Sequence, residues 1–425
     1  MNTAIRIASA VCAPLCLTLA PAPLAQAEDT TVTTTVTPRP GFYDDYGNWV
    51  PPVRLHAPDT NNCERSLWPP EPVSTSEARE TETLQPLPVT YEGSCGIEAP
   101  EGFHVDEGVL ASAWLVANLD TGDVIAMKDP HGRYRPASII KVLLALVAID
   151  ELPREQRVVV SEESAGQEGS AVGIGAGGEY TVNDLLHGLL MASGNDAAHA
   201  LAQALGGDDA TLTKINAKAR ELGMLDTRAT SYSGLDRAGM STSAWDMALA
   251  YRAAFSNPAF AEIADTASYP FPGYGDIPGY ELWNDNKLYL NDPDGIGGKT
   301  GYTDDANHTF VGAVDHDGVR LVAVVLDTTV DKMRAWQQAQ TLLHESYAYA
   351  SASESRTHVA SLNPVEETPT TTSQPTDTAD EQPGTAKSQG GIPWLSIALV
   401  GGVLVVTALA VALSFASAKK RSRRQ

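Results

Sequence analysis

The stretch "IIKVLLALVAI" at residues 139–149 restricts the fold of this 425-residue chain more than any other segment. Its only polar side chain is Lys141. A helix that is apolar on nearly every face must be covered on nearly every face. The segment therefore predicts a buried helix at the centre of a layered domain. Ser138 stands where that helix begins, and residues i and i+3 share a helix face, so its hydroxyl and the Lys141 amine should meet. An ammonium group surrounded by apolar side chains loses favour for its charged form.

The neighbouring segments supply the layers. "ASAWLVANLDTGDVIAMKD" (111–129) reads as a β-hairpin turning at Thr121-Gly122-Asp123, and "TFVGAVDHDGVRLVAVVLD" (309–327) as a second one around His316-Asp317-Gly318. A helix over 330–350 follows, with Leu342 and Leu343 on its apolar face. Between the hairpins the pattern is helical. Thr181-Val182-Asn183-Asp184 has the form of a capping box with Asp in place of Glu, opening "LLHGLLM". "DAAHALAQAL" comes next, and "TLTKINAKARELG" stops at Gly223 as helices commonly do. Strands come first, helices are inserted, and strands return. The order predicts an α+β fold: an antiparallel sheet flanked by helices, an inserted helical lobe, and a cleft between them.

The ends of the chain carry a different signal. Residues 1–27 combine one basic residue, Arg6, an apolar stretch through Ala20, and the small-residue sequence Ala25-Gln26-Ala27. That is the layout of a secretory signal peptide cleaved before Glu28. Residues 394–416 are uncharged and rich in Leu, Val and Ala, and an apolar helix of about 20 residues crosses a hydrocarbon core of about 30 Å. Lys419, Lys420, Arg421, Arg423 and Arg424 follow directly, and positive charge beside a span marks the cytoplasmic side. The two ends agree on a single-pass protein of the cell membrane, with its domain outside and residues 417–425 as a basic cytoplasmic stub.

Two further segments lack a hydrophobic period. Residues 28–104 read as a loosely ordered N-terminal extension, and 351–391 as a Pro/Thr-rich tether with too few apolar side chains for a core. The domain proper is read as 105–350. Cys12 and Cys16 leave with the signal peptide, so Cys63 and Cys95 remain. An exported position favours their pairing, while spacing alone leaves two free thiols open. The net charge of −24 argues against nucleic acid and against docking on an anionic lipid surface.

Ser138 and Lys141 belong to a wider set. A serine three residues before a lysine recurs by chance, and a capping serine beside a snorkelling lysine explains it plainly. "MASGNDAA" adds Ser193-Gly194-Asn195 between two predicted helices, and "GIGGKTGYT" adds Lys299-Thr300-Gly301 on a predicted strand. A simple turn and a glycine-rich loop would explain these two separately. All three together, in this order and on these elements, make chance a poor account. The set resembles the S-x-x-K, S-D-N and K-T-G motifs of penicillin-binding proteins and class A β-lactamases, with S-G-N in the middle place. "PASIIKVLLAL", "TVNDLLHGLLMASGNDAAHALA", "NAKARELGMLDT", "GGKTGYTDDANHTFVGAV" and "LLHESY" extend the resemblance across 105–350. There the chain is similar to the serine-type D-alanyl-D-alanine carboxypeptidases, the low-molecular-mass penicillin-binding proteins of peptidase family S11.

The resemblance implies a β-lactamase/transpeptidase-like fold and hydrolysis through an acyl-enzyme, with no cofactor and no metal. Ser138 would be the nucleophile attacking between two terminal D-alanines of a peptidoglycan stem peptide, Lys141 its general base, and Ser193 the proton relay to the leaving amine. Asn195 would order Lys141 and the substrate amide. Lys299 and Thr300 would meet the terminal carboxylate, and Gly301 would let the substrate backbone come close to the strand. The backbone N–H groups of Ser138 and Tyr302 would form the oxyanion hole. β-Lactam antibiotics are the implied inhibitors. The rivals are a serine β-lactamase, which lacks its E-x-x-L-N segment between Ser193 and Lys299, and a non-catalytic wall-binding protein on the same scaffold. A zinc carboxypeptidase would need clustered histidines, and the nine here form no HxH or HExxH set.

Overall fold

The computed structural model describes residues 41–45, 47, 49–73, 84–350 and 358–364. A seven-stranded, fully antiparallel sheet forms its middle layer. In chain order its strands are β1 (Ile97–Glu98), β2 (Ala113–Asn118), β3 (Asp123–Lys128), β4 (Gly295–Thr303), β5 (Asn307–His316), β6 (Val319–Thr328) and β7 (Ala360–Ser361). They lie in the spatial order β4-β5-β6-β2-β3-β7, with β1 also paired to β3. Both expected hairpins are present, and β4 is left as one edge of the sheet.

The strands are apolar on both faces because both faces are covered. Leu115, Ala117, Val322 and Val324 belong to the larger core, which also takes in α1 (Lys141–Glu151), α2 (Val182–Met191), α3 (Asn195–Ala204) and α5 (Ala244–Ser256). Trp114, Val116, Phe310 and Val325 alternate with them and pack with Leu342 and Leu343 of α6 (Ala335–Ala350). Period-two alternation onto two apolar layers yields strands that read as continuous hydrophobic runs. Helix α1 is buried from Lys141 to Ala148, as its composition requires. Each buried Leu or Ile in it contributes on the order of 1.5–3 kcal/mol.

Local signals place the helix ends. The Thr181 side chain accepts from the Asp184 N–H while the Asp184 carboxylate accepts from the Thr181 N–H, completing the capping box that opens α2. Helix α4 (Asp208–Glu221) stops at Gly223, whose φ of 78° is the left-handed backbone that favours glycine. Helix α6 begins at Ala335 rather than 330.

Two boundaries of the sequence reading are corrected. The described part of the 28–104 extension is packed rather than loose. Cys63 and Cys95 are joined, with 5.3 Å between their Cα atoms, and the buried Arg133 guanidinium donates to the carbonyls of Leu67, Leu87 and Pro88. Backbone carbonyls held by another segment's side chains leave no hydrophobic period, so the order was invisible in sequence. At the other end, residues 358–364 of the 351–391 tether contribute β7: Val359 and Leu362 donate to the carbonyls of Val124 and Gly122. The signal peptide over 1–27, the rest of the tether, the 394–416 span and the 417–425 stub lie outside the described residues. Among the described residues, no helix is long and apolar enough to cross a membrane.

Candidate active site

Ser138 lies in a 3-10 turn, Ala137–Ile140, that feeds directly into α1. The residue before it, Ala137, has a φ of 47°, a conformation that costs a non-glycine residue of order 1–3 kcal/mol and persists only where the surroundings impose it. The imposing contacts can be named. Thr309 Oγ1 donates to the Pro136 carbonyl at 2.8 Å, and Tyr251 OH to the Ile139 carbonyl at 3.0 Å. Ser138 is thereby held partly exposed.

Lys141, one helical turn on, is fully buried. Its Nζ lies 2.9 Å from Ser138 Oγ, 2.7 Å from Asn195 Oδ1 and 2.5 Å from the Ser233 carbonyl oxygen. Two of these neighbours can only accept. Ser233 offers a carbonyl, and the Asn195 oxygen faces the lysine because its Nδ2 donates to the Glu168 carbonyl at 2.6 Å. A neutral amine has two N–H donors and one lone pair. Donating to those two acceptors leaves the lone pair for the Ser138 hydroxyl. The electrostatics favour that state: burial first, then the Lys299 charge, hold the Lys141 pKa well below the ordinary lysine range, against smaller opposite pulls from Asp285 and Asp196.

Asn195 is aimed by the start of α3. The Asp196 carboxylate accepts from the N–H groups of Val172, Gly173 and Ile174, which fixes the preceding loop and with it the Glu168 carbonyl. Ser193, in the connection between α2 and α3, is buried and has a φ of 60°. On β4, Lys299 is fully buried, with Nζ 3.0 Å from the Thr300 carbonyl, and burial lowers its pKa while Asp285 opposes the shift. Thr300 Oγ1 donates to Asp285 Oδ2 at 3.0 Å. Tyr302 is the half-exposed residue after Gly301 on the same edge strand.

The structure therefore brings Ser138, Lys141 and Asn195 into direct contact, and Lys299 into electrostatic range of Lys141. Gly301 has a packing role within the protein as well. A Cβ there would sit 2.3 Å from Thr309 Oγ1 and 3.0 Å from Ser138 N, so the missing side chain lets β4 lie against the serine turn. Three contributors escaped the sequence reading: the Ser233 carbonyl, Asp285 and Gly234. Gly234 combines a φ of 88° with a position where a Cβ would meet the Ala137 carbonyl oxygen at 2.1 Å. The Ser231–Leu235 turn "SYSGL" was the available cue. Gly234→Ala should shift the serine turn, lowering the rate at which Ser138 is acylated by a penicillin at least about 10-fold and stability by about 1–3 kcal/mol. Stopped-flow acylation and thermal unfolding check it, and wild-type acylation by a folded variant would refute the packing argument. Three histidines lie near these segments: His199 bonds Ser164, His187 stacks on the Tyr269 ring, and His308 packs beside Tyr302 on the neighbouring strand.

Comparison with known proteins places this geometry. The Peptidase S11 family model, described as D-alanyl-D-alanine carboxypeptidase, matches residues 102–330. The D-alanyl-D-alanine carboxypeptidase DacB2 of Mycobacterium tuberculosis is 45% identical over 242 residues, which cover 56% of this chain and 82% of that one. The Bacillus subtilis D-alanyl-D-alanine carboxypeptidase DacF is 30% identical over 57% of this chain and 66% of its own. Among solved structures, a D-alanyl-D-alanine carboxypeptidase from M. tuberculosis superposes with a TM-score of 0.57 at 43% identity, over 59% of this chain and 96% of that one. The Streptomyces K15 DD-transpeptidase, at 24% identity and a TM-score of 0.54 over 56% of this chain and 97% of its own, shares the fold.

Proposed function

The chain belongs to the Peptidase S11 family of D-alanyl-D-alanine carboxypeptidases, and we propose that Ser138 is the nucleophile with which it trims the terminal D-alanine from peptidoglycan stem peptides. The observation that carries the assignment is the fully buried Lys141, whose Nζ is 2.9 Å from Ser138 Oγ while its two other neighbours are obligate acceptors. Ser138 Oγ attacks the carbonyl carbon of the penultimate D-alanine as its proton passes to Lys141 Nζ. The developing oxyanion is met by the N–H groups of Ser138 and Tyr302. The C–N bond breaks as the leaving amine takes a proton relayed through the Ser193 hydroxyl from Lys141. Water then attacks the Ser138 ester, giving its proton to Lys141, which passes it to Ser138 Oγ as the ester C–O bond breaks and the shortened peptide leaves with a new carboxylate.

Lys299 and Thr300 are proposed to hold the substrate's terminal carboxylate, a charge-assisted contact in a site already desolvated. β-Lactams, which present an acylating carbonyl beside a carboxylate, would react with the same serine. The proposal extends to placement. An export signal over 1–27 and an apolar span over 394–416 ahead of five basic residues support a domain on the wall side of the cytoplasmic membrane, anchored by its C-terminus.

The test is release of D-alanine from an N-acylated peptide ending in D-Ala-D-Ala, set against the same peptide with an amidated C-terminus. Wild-type protein releases D-alanine from the free acid. Lys299→Ala should lower kcat/KM for the acid by about 10–100-fold and for the amide by less than about 3-fold. Equal losses would remove Lys299 from the carboxylate site, and no release by the wild type would overturn the function.

A further inference from the structure

The N-terminal extension is attached to the machinery just described, at three places. Arg133 and Arg135, five and three residues before Ser138, are both buried. The Arg133 N–H donates to the Arg65 carbonyl at 2.8 Å, and its guanidinium to Leu67, Leu87 and Pro88 at 2.9, 2.7 and 2.7 Å. The Arg135 guanidinium donates to the Pro70 carbonyl. At the end of β4, the Val73 N–H donates to Asp305, whose own N–H donates to Asp236 while Thr303 Oγ1 donates to Asp236 at 2.7 Å. Asp236 lies three residues after Ser233, the carbonyl that anchors Lys141. On the far side of that loop, Arg228 donates to the Gln85 carbonyl at 2.8 Å.

The extension thus grips the approach to the nucleophile, the end of the carboxylate strand, and the loop carrying the lysine's acceptor. The Cys63–Cys95 disulfide ties its two described halves together. The contacts named are hydrogen bonds, and beside them lies a pocket of about 210 Å³ where Arg54, Arg65, Asp129 and Asp327 alternate with Trp49 and several prolines. The extension's positioning power therefore comes from hydrogen bonds whose geometry is set by the closed collar.

We propose that the disulfide-closed extension is an intramolecular collar that positions Ser138, acting through Arg133 and Arg135 on the strained turn that carries it. These two arginines are positioning residues; neither is placed to touch substrate. The inference rests on the carboxypeptidase reading. It makes kcat and acylation, rather than substrate affinity, depend on the collar, because a displacement of about 1 Å at a nucleophile can cost about 100-fold in rate.

The experiment uses the full chain. Arg135→Ala, Arg135→Lys and the Cys63→Ser/Cys95→Ser double variant are compared with wild type for kcat and KM of D-alanine release, penicillin acylation rate, and thermal midpoint. The collar predicts that Arg135→Ala and the double variant lose at least about 10-fold in kcat and acylation with KM within about 2-fold. Arg135→Lys, which retains a donor for Pro70, recovers most of the rate. Folded variants with wild-type kcat overturn the proposal, as does a loss confined to KM. If the variants do not fold, wild type is reduced and reoxidised: a rate that falls and returns supports the collar, and an unchanged rate with both thiols demonstrably free overturns it. An inactive wild type would instead sink the carboxypeptidase reading.

Discussion

Ser138→Ala should release no detectable D-alanine and form no adduct with benzylpenicillin, a loss of at least about 10⁴-fold, while its thermal midpoint should stay within a few degrees of wild type. The size of the loss follows from the chemistry, since removing a nucleophile leaves only the catalysis that binding and the oxyanion donors provide. The small effect on stability follows from the structure. Ser138 is partly exposed, its hydroxyl has a long 3.4 Å contact to the Ser233 carbonyl besides Lys141, and the turn is held through Pro136, Ile139 and Gly301 instead. Intact-mass spectrometry after incubation with penicillin reads both halves at once. A lasting adduct on the wild type that maps to the Ser138 peptide, absent from the variant, is the expected pair. An adduct of equal yield on Ser138→Ala would refute the nucleophile.

Replacing Lys141 has the second-largest expected effect. Lys141→Ala should slow acylation by about 10³–10⁴-fold, and Lys141→Arg should not rescue it, because a guanidinium stays charged and has no lone pair to take the serine proton. In the wild type, acylation should rise with pH through a pKa well below the ordinary lysine value, as burial and the neighbouring Lys299 charge dictate. Lys141→Ala should lose that limb. Stability carries the same signature. Between the lowered folded pKa and the unfolded value near 10.4, the unfolded chain binds more protons, so wild-type stability should increase with pH across that window. The alanine variant loses this increase. It also leaves the Ser233 carbonyl and Asn195 Oδ1 without their donor, at about 1–3 kcal/mol each. A pH–acylation profile with an inflection at the ordinary lysine value would contradict the buried-base assignment.

Much of the site was legible because it rests on short-range spacing. Ser138 and Lys141 meet because three residues bring side chains onto one helix face. The Thr181 capping box, the Gly223 stop and the two hairpins are likewise local, and the comparisons bear out the family resemblance carried by the three motifs. Asn195 was read as a partner of Lys141, and the contact is there at 2.7 Å. The residues that went unread share a different character. Ser233 acts through a backbone carbonyl, which any residue could have supplied. Gly234 acts through the absence of a side chain against one particular turn. Asp285 reaches Thr300 across 15 residues of chain, with no motif to mark it.

The extension shows the same division on a larger scale. Its cysteines pointed to a disulfide, but nothing in 28–104 indicated that two buried arginines shortly before Ser138 would hold its carbonyls. What the sequence alone determined is the chemistry: which side chains occur, at what helical or strand spacing, and hence which reaction they suit. Those properties depend on covalent order and on periods of two and 3.6 residues. What only the tertiary structure decided is which backbone carbonyls and which empty glycine positions surround them. Carbonyls are identical in every residue, and a glycine's use depends on what packs against it, so these contributions acquire meaning only when distant segments are brought together.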